Sequence, residues 1–163
     1  MRSHVTTGLI ILMLAVAGAM VSCPAYGSEA EEKAVVEAAN QFYAALNAMF
    51  VGDLAPMKEV WSHAEDVTYM GPAGGFLIGW NQVLSSWNEQ AAMKLGGEVR
   101  PEGMRVTVGR DLAVTYNFEQ GENVDAQGKP QKVSIRATNL FRKENGKWKM
   151  IGHHTDILPS MEK

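Results

Sequence analysis

Residues 136–156 read RATNLFRKENGKWKMIGHHTD, two alternating runs on either side of Asn145-Gly146. An Asn-Gly pair in that setting predicts a β-hairpin, because a type I′ turn needs positive φ at both central residues. Closing the turn there pairs Glu144 with Lys147, Phe141 with Met150, Asn139 with Gly152, Ala137 with His154 and Ile135 with Asp156. Side chains alternate across a sheet. One face is therefore expected to carry Ile135, Ala137, Asn139, Phe141, Trp148, Met150, His154 and Asp156, and the other Arg136, Thr138, Leu140, Arg142, Lys149, Ile151, His153 and Thr155. The first face is the more apolar and should meet the rest of the core. Its polar exceptions are Asn139, His154 and Asp156, and polar groups so placed either satisfy one another or line a cavity.

Working outward, strands are predicted near 98–109, 111–120, 131–143 and 147–157, separated by Gly109-Arg110, by the polar segment 121–129 and by the Asn-Gly turn. Upstream, residues 67–70 and 76–78 form a short hairpin about the turn at 71–75, and 80–94 follow as a helix with Val83, Leu84, Trp87 and Ala91 on one side. A first helix starts at Ser28, whose hydroxyl caps it ahead of Glu29, Glu31 and Glu32, and runs to about Phe50 with Val35, Ala39, Phe42, Leu46 and Met49 in a stripe. Gly52-Asp53 ends it. Asp53 caps a short second helix to about Val60, with Pro56 in its first turn. Helices first and a long antiparallel meander last give an α+β fold, with N-terminal helices packed on a strongly curved sheet.

The chain begins MRSHVTTGLIILMLAVAGAM: one arginine, then an apolar run from about residue 8 to 20, too short for a comfortable membrane span and suited to a signal peptide. Residues 1–27 are expected to be that signal and 28–163 one domain, periplasmic or secreted. Two cleavage readings stand. Ala25-Tyr26-Gly27 is a small-x-small site that leaves Ser28 first, whereas Met20-Val21-Ser22-Cys23 resembles a lipobox and would make Cys23 the lipidated first residue of an envelope lipoprotein. Under either reading the membrane is touched only through the signal or the lipid. Cys23 is the only cysteine, so no intramolecular disulfide forms. A net charge of −3 without a basic block argues against nucleic acid as a partner.

The segment 136–156, together with QFYAALNAMFVGDL, DVTYMGPAGGFLIGW and GRDLAVTY, resembles SnoaL-like domains of the nuclear-transport-factor-2-like superfamily, over about residues 31–158. That superfamily also holds ketosteroid isomerase and the association domain of calmodulin-dependent kinase. The resemblance implies a cone whose helices close over a bent, barrel-like sheet, a deep apolar pocket, and a homodimer through the outer face of the sheet. Projected onto this chain, the pocket gathers Tyr43, Trp61, Tyr69, Trp87, Asn139, His154 and Asp156, while Arg136 and His153 fall on the outer face.

The leading functional expectation is a cone that binds a small, largely apolar molecule, with no cofactor. A second reading is a cofactor-free dehydratase, isomerase or cyclase in which His154 is the acid/base, Asp156 or Asn139 orients it, and Tyr43 or Tyr69 donates a hydrogen bond. A third is a dimeric interaction module with a vestigial pocket. A ketosteroid-type base is not expected, since Gly71 stands where the carboxylate would be. Metal binding is disfavoured: adjacent His153 and His154 point to opposite faces, and His63 with Glu65 and Asp66 reads as a solvated connection.

Overall fold

The structure is a computed structural model that describes residues 27–72, 74–125 and 127–156. The expected signal, apart from Gly27, and Cys23 lie outside the described residues. Helix α1 spans Glu29–Phe50, and the Ser28 side chain accepts the Glu31 N–H as its cap. One side of it buries Val35, Ala39, Phe42, Tyr43, Leu46 and Met49. Gly52, at φ 98°, takes the chain out of the helix in a conformation that favours glycine. Helix α2 is Ala55–Val60, with Pro in its first turn. Asp53 Oδ1 accepts the Ala55 N–H at 3.0 Å, one residue before the geometric cap at Leu54.

Strands β1 (Thr68–Gly71) and β2 (Gly74–Ile78) lead into helix α3 (Trp80–Met93), and β3 (Glu98–Val108), β4 (Leu112–Val124), β5 (Pro130–Glu144) and β6 (Lys147–Asp156) complete the chain. They make a single sheet in the order β2-β1-β6-β5-β4-β3, antiparallel except where β1 runs parallel to β6. Among the described residues β2 and β3 keep free edges, so the sheet curls about the helices without closing into a barrel. Irregular pairing in β1–β2, β3–β4 and β5–β6 provides the bending. Helix α1 is fastened to β3 by Asn47, which donates to Val99 O and accepts from Val99 N, both at 2.9 Å. Between the layers lie Phe42, Met49, Met57, Trp61, Trp87, Phe141 and Met150, all fully buried.

Two boundaries differ from expectation. The segment 121–129 is not all loop: β4 continues to Val124, with Gly121 opposite Val133, and only the Asp125 turn remains, its carboxylate accepting the N–H groups of Gln127 and Lys129. The 71–75 turn is shorter, since β2 already begins at Gly74.

The hairpin register also departs from the sequence reading, and this matters most for function. Asn145 and Gly146 both have positive φ, and pairing follows expectation from Glu144–Lys147 to Phe141–Met150. Leu140 then faces Gly152, leaving Ile151 as an extra residue in a β-bulge. Beyond it every pair shifts by one: Asn139 faces His153, Thr138 faces His154, Ala137 faces Thr155 and Arg136 faces Asp156. The period of two does the rest. His153 and Thr155 turn into the core, and His154 and Asp156 turn out.

Candidate functional site

Inside the cone, β4, β5 and β6 place a polar cluster behind an apolar chamber. Strand β4 directs Ala113, Thr115, Asn117 and Glu119 inward, all buried, while Leu112, Tyr116 and Phe118 remain exposed. Glu119 is 4 % exposed and accepts from the Tyr43 hydroxyl at 3.1 Å. That hydroxyl accepts from Asn117 Nδ2 at 2.8 Å. Asn139 donates through Nδ2 to Thr115 Oγ1 (3.1 Å) and Asn117 Oδ1 (3.3 Å), so its Oδ1 is an acceptor. His153 Nδ1 lies 2.6 Å from that oxygen and must carry the proton. Its other nitrogen, Nε2, therefore presents a lone pair, 3.6 Å from Glu119 Oε1 and beyond hydrogen-bond length.

Burial governs the protonation states. His153, between the rings of Phe42 (4.8 Å) and Tyr69 (5.9 Å), is held neutral, its pKa pushed down to about 3 by desolvation first and by nearby His154 second. Glu119 is pushed up to about 7 by desolvation, against the opposing hydrogen bond from Tyr43. Burial, and then the neighbouring Glu119, raise Tyr43. Below neutral pH, and above about 3, the pair is thus a carboxylic acid beside a neutral imidazole. Among the described residues no hydrogen bond reaches Glu119 Oε2, and the Glu119 side chain lines open space.

That space is a chamber of about 120 Å³, walled by Leu46, Phe50, Trp87, Val99 and Ile135 with Glu119 and His153 at its polar end. Among the described residues no lysine or arginine lines it. Outside it lies a cleft of about 370 Å³ between the β1–β2 hairpin and α3. Gly71 stands in that cleft, where a Cβ would collide with the Tyr69 hydroxyl, so a larger residue at this position would require the Tyr69 ring to move.

The expected site residues are divided by this geometry. Tyr69 and Trp87 line the chamber. Tyr43 and Asn139 stand behind it, holding Glu119 and His153. Trp61 is one layer back, packed on Trp80 (6.5 Å) and Trp87 (6.0 Å). His154 and Asp156 are not in the pocket. They line an outer-face depression of about 500 Å³ with Arg105, Tyr116, Phe118 and Arg136. The projected outer position of Arg136 agrees with the structure; that of His153 does not, because the Ile151 bulge exchanges the two histidines. The outer depression is a weaker candidate for chemistry, since its one ion pair, Arg136–Asp156, spans 3.9 Å with both side chains more than half exposed.

Glu119 and Gln90 were absent from the sequence-based set. The alternation Ala113, Thr115, Asn117, Glu119 signals the inner row of β4 only if its apolar partners Val114, Tyr116 and Phe118 are assigned outward, against the usual rule.

The fold and site define an α+β cone domain whose pocket holds a buried carboxylic acid. The sequence matches the SnoaL-like domain family over residues 35–158, and the chain belongs to that family. Among solved structures it is similar to a candidate dehydratase of the NTF2-like family from Streptomyces avermitilis, with 24% identity over 79% of this chain and 96% of that one, TM-score 0.69. It is also similar to a candidate ketosteroid isomerase from Shewanella frigidimarina, with 18% identity over 75% and 94% of the two chains, TM-score 0.61. At these identities the likeness concerns the fold. The F-box protein SKIP8 of Arabidopsis thaliana is 27% identical over 105 residues, 64% of this chain, and the match spans 42% of that protein.

Proposed function

We propose that this domain binds a small, largely apolar, uncharged molecule in its cone, with an acceptor atom of that molecule taking a hydrogen bond from Glu119. The carrying observation is Glu119 itself, a buried acid with an uncommitted oxygen on an apolar chamber that contains no cation. A carboxylic acid kept neutral by burial is a strong donor to a carbonyl or hydroxyl oxygen. An anionic ligand would find no counter-charge there.

One observation favours a second reading, proton-transfer catalysis. A pKa of about 7 is suited to a general acid/base at neutral pH, and Tyr43 is positioned to stabilise the carboxylate left after proton transfer. Glu119 then replaces His154 as the acid/base. The outer face supports self-association: Leu112, Tyr116 and Phe118 are exposed along β4, and a homodimer would cover them. Export through residues 1–27 accompanies this reading.

A thermal-shift screen with small carbonyl compounds tests the binding. Stabilised melting for some of them is the expected result, and no shift with any compound overturns the proposal. Glu119→Gln separates the two readings, because an amide still donates a hydrogen bond but relays no proton. Retained binding with lost deuterium exchange next to the ligand carbonyl assigns catalysis to Glu119.

A further inference from the structure

The chamber is small for a ligand site: about 120 Å³ against roughly 300–1,000 Å³ for typical pockets. The cleft outside it, at about 370 Å³, is within that range but lacks the buried acid. Four residues, Tyr69, Pro72, Gln90 and Leu95, line both spaces. A polar crossbar holds this neck, with Gln90 Nε2 donating to Tyr69 Oη and to Ser86 Oγ, each at 3.2 Å. It ties β1 to α3.

We propose that chamber and cleft are two compartments of one site, and that its ligand is elongated: a small uncharged polar head at Glu119 and an apolar tail passing Tyr69 and Gln90 to lie against Leu77 and Met93. This rests on the cone being a ligand site, as argued above. The outer compartment fits a tail. Leu77, Leu95 and Met93 supply apolar walls. Met93 is 63% exposed, an apolar side chain at the open mouth of the cleft. Its unbranched thioether adapts to tails of different length. Among the described residues Glu89 is the one charged residue lining the cleft, and it opposes a tail ending in a carboxylate.

A homologous series of methyl ketones, from butanone to long-chain members, tests this by NMR titration of the full chain. Affinity is expected to tighten about three- to fourfold per added methylene until the tail reaches the mouth, then to level off. A fatty acid of matching length is expected to bind more weakly than the ketone. Ser86→Trp fills the cleft and should reduce the ratio of long-chain to butanone affinity towards unity. Met93→Lys, at an exposed position where misfolding is no explanation, should lower the same ratio. Butanone binding with no gain along the series, or a ratio unmoved by both substitutions, overturns the two-compartment site and leaves the binding function standing. No binding at any chain length overturns both.

Discussion

The inner and outer faces of the sheet are made from residues one position apart, yet they present opposite chemistry. His153, inside, is 3 % exposed, fixed as one tautomer by Asn139 and held neutral. His154, outside, is half-buried, lies 3.2 Å from the Thr68 hydroxyl, and has its pKa lowered by burial against the opposing charge of Asp156. The same division runs along β4, where Thr115, Asn117 and Glu119 are buried while Leu112, Tyr116 and Phe118 meet solvent. A sheet with a single apolar core would reverse that polarity. Polar residues are tolerated inside because each one is hydrogen-bonded or kept neutral. An organised polar interior opposite an apolar exterior is the arrangement that the proposed ligand inside and the proposed second copy outside would both require.

The sharpest way to break the comparison is to exchange Thr155 and Asp156, as Thr155→Asp with Asp156→Thr. Thr155 is 4 % exposed on the inner face, and Asp156 is exposed on the outer one. The exchange keeps the composition but moves a carboxylate inside, and an unpaired buried carboxylate should cost more than ~4 kcal/mol. The expected outcome is loss of the cooperative melt followed by circular dichroism. A double variant with a wild-type melt would show that the inner face does not exclude charge.

A smaller effect, about 3 kcal/mol for the Glu119 shift, tests the protonation states of the inner face. Glu119 titrates at about 7 in the fold against 4.5 when exposed, and His153 at about 3 against 6.5. Between pH 4.5 and 6.5 the folded pair holds one proton, on Glu119, and the unfolded pair also holds one, on His153. Equal proton counts mean that the pair adds no pH slope there. Glu119→Gln uncovers His153, whose contribution is fully present above 6.5 and is lost as pH falls towards 3. His153→Gln uncovers Glu119 and gives the opposite slope, with stability lost as pH rises from 4.5 to about 7. Urea denaturation across this range reads both. Parallel profiles for the two variants would refute a neutral acid beside a neutral imidazole.

Much of this was legible in the sequence, and what was not has a local cause. Capping at Ser28, the helix stripes and the Asn145-Gly146 turn follow from rules that act over a few residues, and the structure places them accordingly. The family resemblance supplied the cone. The site was misread because the hairpin was counted at a strict period of two, and one bulged residue reverses that count for all of 152–156. No local signal marks Ile151. The bulge brings Gly152 beside Thr68 and Leu140, where a Cβ would stand 3.2 Å from the Thr68 hydroxyl and 3.0 Å from Leu140 Cδ1, and that is tertiary information. Glu119 escaped for a related reason: hydrophobic alternation points Tyr116 and Phe118 inward, and only a covered outer face makes the reverse assignment reasonable.

The smallest expected change in the folded chain tests that cover. Phe118 is 51% exposed and faces Arg136 across the β4–β5 pair. Phe118→Lys removes an exposed ring and adds a like charge beside Arg136, a change worth within about 0.5 kcal/mol for one isolated chain. Urea denaturation of dilute protein should therefore barely move. Association is a different matter, because a symmetric interface meets every substitution twice, and two added cations would replace two apolar contacts. Wild type is expected to sediment as a dimer at micromolar concentration and Phe118→Lys as a folded monomer. If wild type is itself a monomer, the outward apolar row of β4 has no cover from its own kind, and the inversion of that strand must then be explained by the inner site alone.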